Sequence, residues 1–169
     1  MGPYGRYLAA HGFHVWDELH SASYPQHATV RSAFPEEHHQ TTWITNRAID
    51  MLSQHSADRP FFLWVSFVHP HHPFNPPAPY DTMYRPQDMP LPVWDEDEVA
   101  RWPEAYRRKY FSTSGGHEAV GMCDLEDQDW QRIKAYYYGM ISLIDKNVGR
   151  LVEALRASGQ LENTILIFT

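Results

Sequence analysis

Apolar positions recur at helical spacing in two stretches of the chain. From Trp130 to Ala157, the residues Ile133, Tyr137, Met140, Ile141, Ile144, Val148, Leu151 and Leu155 step by threes and fours. That stepping draws one apolar stripe along a long helix. Asp127 or Asp129 is its expected cap, and Gly159 its end. Thr41 to Ser53 repeats the pattern with Ile44, Ala48, Ile49 and Leu52, capped by Thr41 or Thr42. A polar turn, His55 to Arg59, follows, and Pro60 blocks helix continuation. Pro3 to Ala10 reads as a shorter helix, with Pro3 in its first turn and Gly12 as a left-handed stop after His11.

Other apolar runs have no helical period. Phe61 to Val68 (FFLWVSFV) is continuous, of strand length, and rich in aromatic and β-branched residues. Such a run fits a strand covered on both faces, as in a parallel sheet flanked by helices. Thr164 to Thr169 (TILIFT) reads as a second buried strand, and Phe13 to Trp16 as a short one. Ser21 to His38, with Pro25 and Pro35, reads as irregular. Nine of the 13 prolines lie between Pro70 and Pro103, along with the acidic run Asp95 to Glu98, expected as a solvated face. Glu104 to Tyr110 is an expected helical piece, and Ser112 to Gly116 (STSGG) has linker chemistry. So long an excursion is expected to be an ordered, functional loop or lid, because structureless loops of that length are uncommon.

Strand, excursion, helix, strand is a right-handed crossover unit. The expected fold class is therefore α/β. Residues 1–169 are expected to form one domain or part of one, with a long loop or lid insertion at 73–128.

Composition narrows the function classes. With 14 basic against 21 acidic residues the net charge is −7, which argues against a nucleic-acid partner engaged by a broad basic surface. Phe61 to Val68 is too short to span a bilayer, so no membrane partner is expected. No signal-like stretch follows Met1, and the compartment stays open between cytoplasm and periplasm. The lone Cys123 excludes an intramolecular disulfide and a multi-cysteine zinc site.

Eleven histidines remain, and three of them, His69, His71 and His72, fall within four residues just after the apolar run. In open α/β sheets, ligand groups gather beyond the carboxyl ends of the strands. Pro70 and Pro73 restrict the backbone there. An imidazole so held can donate a hydrogen bond to an anionic oxygen or hand a proton to a departing alkoxide. Three alternatives stand beside this: loop histidines packed against aromatics, a metal module built on His69 and His71, and an anion-binding module. Tyr80 and Tyr84 are candidates to line a pocket, Arg107-Arg108-Lys109 is a basic patch able to greet an anion, and Asp145 is a weighed but solvated carboxylate. His38 and His39 read as loop residues before the Thr41 helix, with no chemistry implied.

The residues Phe61 to Pro77, FFLWVSFVHPHHPFNPP, resemble the central segment of the sulfatase family of the alkaline phosphatase superfamily, FFLxxSFxxPHxPFxxP. Tyr138 to Leu151 is similar to the family's long helix, Asn163 to Thr169 to the strand that enters its second metal-binding motif, and Thr42 to Leu52 to a further helix. The resemblance implies an alkaline phosphatase-like, mostly parallel sheet flanked by helices, here incomplete. It implies a hydrolase of sulfate monoesters, small-molecule or sugar, with a formylglycine nucleophile and a divalent cation, calcium by family habit. The histidine of the P-H-x-P segment, which touches the sulfate or leaving-group oxygen, is His71 here; His69 and His72 are secondary substrate-binding candidates.

The departures carry as much weight. Formylglycine arises from C/S-x-P-x-R, yet Cys123 is followed by Leu125 and Asp127 where proline and arginine belong. The family's paired aspartates, its lysine-plus-histidine motif and the D-H-G after the last strand have no counterpart between Met1 and Thr169. The expectation is an internal fragment with its metal ligands outside this chain. A phosphonate monoester or phosphodiester hydrolase of the same fold, and a truncated inactive chain, are the alternatives.

Overall fold

The computed structural model describes residues 2–14, 17, 29–56, 58–93, 95–111 and 125–169. Among these, five helices follow one another: α1 (Pro3–Ala10), α2 (Gln40–Gln54), α3 (Glu96–Ala100), α4 (Glu104–Phe111) and α5 (Asp127–Ala157). Single 3-10 turns occupy Glu36–His38, Pro86–Asp88 and Leu161–Asn163. The core sits where α2 and the Pro86–Asp88 turn pack against α5.

The chain ends α1 and α5 by the same device. After α1, Gly12 takes φ 80°, its N–H reaches Ala9 O, and Phe13 N–H reaches Leu8 O. After α5, Gly159 takes φ 69°, with Gly159 N–H on Arg156 O and Gln160 N–H on Leu155 O. A glycine accepts the left-handed conformation without a Cβ penalty, and the two backward bonds satisfy carbonyls the helix leaves open. At its start α5 begins at Asp127, three residues ahead of the expected start at Trp130, because Asp129 Oδ2 accepts from Glu126 N at 3.0 Å.

The buried face of α5 runs through Ala135, Gly139, Met140, Leu143, Ile144, Asn147 and Leu155. It shares Met140, Ile144 and Leu155 with the predicted stripe but is shifted toward Ala135, Gly139, Leu143 and Asn147, leaving Tyr137 and Ile141 exposed. Small and polar side chains decide the shift. A Cβ on Gly139 would lie 2.3 Å from Tyr80 O and 3.5 Å from Pro76 Cγ, so glycine lets the proline-rich loop lie directly on the helix. Asn147, fully buried, donates to Leu143 O at 2.8 Å and accepts from Arg150 at 2.9 Å, and Arg150 continues to Asn46 of α2 at 2.6 Å. Both the amide nitrogen and the amide oxygen of Asn147 are matched, so its burial costs little.

In α2 the buried positions are Thr41, Thr42, Thr45, Ala48 and Leu52, with Ile44 and Ile49 only half-buried. Threonine is tolerated there because Thr45 returns its hydroxyl to Thr41 O at 3.0 Å. The cap is His39 rather than Thr41 or Thr42, its Nδ1 accepting from Thr41 N at 3.3 Å.

The predicted strands differ most. Among the described residues neither 61–68 nor 164–169 joins a ladder. Residues 61–68 alternate between half-buried and exposed, with Phe62 90% and Trp64 80% exposed, the pattern of a strand with one covered face rather than two. Ile165, Ile167 and Phe168 are exposed as well. Nothing in the described chain covers those faces, so the sheet of the α/β expectation is not formed among these residues. Among the described residues the one strand-like pairing is a parallel bridge between Thr29 and Phe74, extended by Val30 N–H to Phe74 O (3.0 Å) and Ser32 N–H to Pro76 O (3.1 Å). Val15 and Trp16 of the expected short strand, residues 21–28 of the irregular stretch, the 112–116 linker and Cys123 lie outside the described residues.

The contact at Gly139 gives a paired test. Gly139→Ala is expected to destabilise the chain by about 1–3 kcal/mol in urea unfolding, because backbone must move to admit the methyl. Gly149→Ala, at a helical position with nothing within 4 Å, is expected to be neutral or stabilising by about 0.5–1 kcal/mol. Equal losses at both positions would count against the close approach.

Candidate functional site

The site grows from the start of α2 and the loop His69–Asn75. Capping α2 places the His39 ring at the helix N-terminus, where it is 1% exposed. The His69 ring stacks on it, with centroids 4.8 Å apart. Asn75 Oδ1 is an acceptor only, so at 2.8 Å it fixes a proton on His69 Nε2. In the neutral ring Nδ1 is then an acceptor, and the Thr41 hydroxyl donates to it at 3.3 Å. Both ring nitrogens of His69 are thus engaged inside the protein.

Electrostatics agree with two neutral rings. Burial, reinforced by the facing His69, lowers the His39 pKa from 6.5 to about 3, against a smaller opposing hydrogen bond from the Asn75 backbone. Burial likewise lowers His69, partly offset by the Asn75 side chain and deepened by the charge of His71.

His71 is placed differently. Its N–H closes a turn on Val68 O at 3.2 Å, and its ring stands exposed, stacked on His72 at 4.2 Å. Its Nδ1 donates to His72 O at 2.6 Å, so Nε2 is the nitrogen left to meet a ligand. His72 is half-buried, its ring edge-on to Phe74 at 6.5 Å. The loop thus brings all three clustered histidines together but divides them: His69 faces inward, His71 outward, His72 between.

Other candidates serve α5 instead. Tyr80 is buried beneath Gly139, with Lys146 Nζ 6.0 Å from its ring centroid, and Lys146 also pairs with Glu36 at 2.6 Å. Tyr84 OH lies 2.8 Å from Ser142 Oγ, and its ring packs on Tyr138. Asp145 is exposed. Of the basic patch, Arg107 lies on α4; the side chains of Arg108 and Lys109 are outside the described residues. His39, Thr41 and Asn75 are not among the residues that mark the candidate site in the sequence. The available signal was a histidine directly ahead of a helix start, where an acceptor is wanted.

A divalent cation does not fit these groups. Among the described residues no three His, Cys, Asp or Glu side chains gather to hold one. The H-x-H pair cannot serve either, because His69 has both nitrogens engaged by Asn75 and Thr41.

Comparison with known proteins adds the following. A family profile described as Sulfatase matches residues 3–169. An arylsulfatase of Clostridium perfringens is 37% identical over 135 residues, 80% of this chain and 26% of that protein. The multifunctional alkaline phosphatase superfamily protein PehA of Trinickia caryophylli is 31% identical over 186 residues, 100% of this chain and 35% of its own. The crystal structure of the phosphonate monoester hydrolase of Agrobacterium radiobacter superposes with a TM-score of 0.79 at 29% identity, covering 98% of this chain and 34% of that one. The chain therefore spans about a quarter to a third of the length of these relatives.

The buried pair predicts a pH dependence. Below pH 6.5 the unfolded chain takes up protons on His39 and His69 that the folded chain refuses, so stability is full above 6.5 and falls as pH drops toward 3. The expected loss is about 1.4 kcal/mol per pH unit for each proton taken up only on unfolding. Urea unfolding at pH 7.5, 6 and 5 measures it, and His39→Gln should flatten the slope.

Proposed function

The chain belongs to the sulfatase family, and on that premise we propose that it is part of a sulfuric ester hydrolase in which His71 handles the transferring group. The likeness to phosphonate monoester hydrolases, at TM-scores of 0.79 and 0.68, supports an alkaline phosphatase-superfamily fold for the parent. The observation that carries the reading is the outward His71 ring, its Nδ1 tied to His72 O at 2.6 Å. With Nδ1 so committed, a protonated ring has one free donor, Nε2–H. That donor suits a hydrogen bond to a sulfuryl oxygen or proton transfer to the leaving-group oxygen. His72, stacked on His71, limits the rotation of that ring.

Enzymes of this family as a rule use a divalent metal ion. In a parent protein that ion, calcium in this proposal, and the formylglycine nucleophile would come from residues beyond those described, and no step here is routed through them. The substrate class is a small-molecule or sugar sulfate ester.

A second reading keeps the fold and changes the ester to a phosphonate monoester or phosphodiester. It is favoured by the TM-score of 0.79 to a phosphonate monoester hydrolase and by the 31% identity to PehA. A panel of aryl sulfate, aryl phosphonate and phosphodiester substrates, given to a parent protein that carries the nucleophile motif, separates the two. Sulfate preference is expected, and phosphonate preference would replace the sulfatase reading. In that parent His71→Ala is expected to lower kcat roughly 10²–10⁴-fold, the range for a general acid. The 169-residue chain alone is expected to turn over none of the panel.

A further inference from the structure

The loop that carries His71 is closed by a clasp inside the protein. His69 and Asn75, six residues apart, meet at 2.8 Å and bound a short arc with His71 on its outer side. The clasp is hydrogen-bonded at both ring nitrogens and buried, while His71, two residues after His69, is exposed. Water competes for such a bond unless something excludes it. The His39 ring covers one face of His69, 28° from parallel and 4.8 Å between centroids, and is itself 1% exposed. His39 also caps α2, which carries Thr41, the second tether on His69.

We propose that His39 is a positioning residue: its ring, stacked on His69, shields the His69–Asn75 clasp and so holds the loop in the one arrangement that presents His71. The inference rests on the reading of His71 as the ligand-facing histidine. It assigns the stack, rather than the helix cap, as the part of His39 that the site requires. His69 acts in the same device, through its partners rather than by touching a ligand.

Two substitutions separate stack from cap. His39→Asn keeps a side-chain acceptor for Thr41 N–H but removes the ring; His39→Phe keeps the ring and removes the acceptor. Amide hydrogen exchange on the 169-residue chain reads the loop at His71 N–H, bonded to Val68 O, and at Val30 N–H, bonded to Phe74 O. Phe13 N–H, at the end of α1, is the reference. His39→Asn is expected to speed exchange at the two loop amides roughly tenfold while sparing Phe13, and His39→Phe to stay near wild type. Unchanged exchange in His39→Asn, or equal loosening in His39→Phe, overturns the proposal.

If His39→Asn unfolds the chain as a whole, Asn75→Ala opens the clasp with His39 in place. Faster exchange at His71 is then expected, and none would overturn the proposal. In a parent enzyme, His39→Asn should lower kcat roughly tenfold with KM little changed, and His39→Phe should restore it, since a mispositioned acid slows chemistry more than binding. A parent that hydrolyses no ester defeats the hydrolase reading, while the exchange result still decides the role of His39.

Discussion

The backbone of the proline-rich loop rests on α5 at a distance that only glycine permits. Tyr80 O occupies the space where a Cβ of residue 139 would project. That contact puts the Tyr80 ring in the core and brings it beneath Lys146, which in turn reaches Glu36 ahead of α2. Asn147, two turns further along α5, continues the seam through Arg150 to Asn46. Loop, long helix and second helix are therefore tied along one line, and the histidine loop emerges from that line between residues 69 and 75.

At the site the ordering principle is desolvation. Two imidazoles are taken out of water and kept neutral, because a charge there would face both burial and a second ring. One imidazole is left outside. The inner pair has its hydrogen-bonding capacity met by Thr41 and Asn75, so it belongs to the scaffold. His71 has one nitrogen spent on a neighbouring carbonyl and the other free, which suits a group that must donate to an oxygen it does not hold permanently. His69 and His71, two residues apart in one proline-bracketed cluster, thus divide by burial: the first is held inside and the second stands exposed.

The apolar runs make the complementary point. A strand is completed by its neighbours, since backbone groups and both side-chain faces need partners. Phe62, Trp64, Ile165, Ile167 and Phe168 carry the composition of a sheet interior and stand exposed. The segment superposes on a hydrolase about three times its length. A helix, whose backbone bonds are internal, forms without that surround, which is why α2 and α5 are complete here while the sheet is not.

The sequence by itself determined what depends on local chemistry. The locations of α2 and α5, the glycine stops at Gly12 and Gly159, and the family through its P-H-x-P segment all follow from residue types at short spacing. Tertiary structure decided what depends on contacts between distant residues. It turned α5 so that Gly139 and Asn147 face inward and Ile141 outward, because a small gap and a matched amide mattered more than hydrophobicity. It made His39 a cap and a shield, since its partners Thr41, His69 and Asn75 come from two separate stretches of chain. Periodicity counts apolar residues, whereas a helix face is chosen by what can be packed and hydrogen-bonded against it.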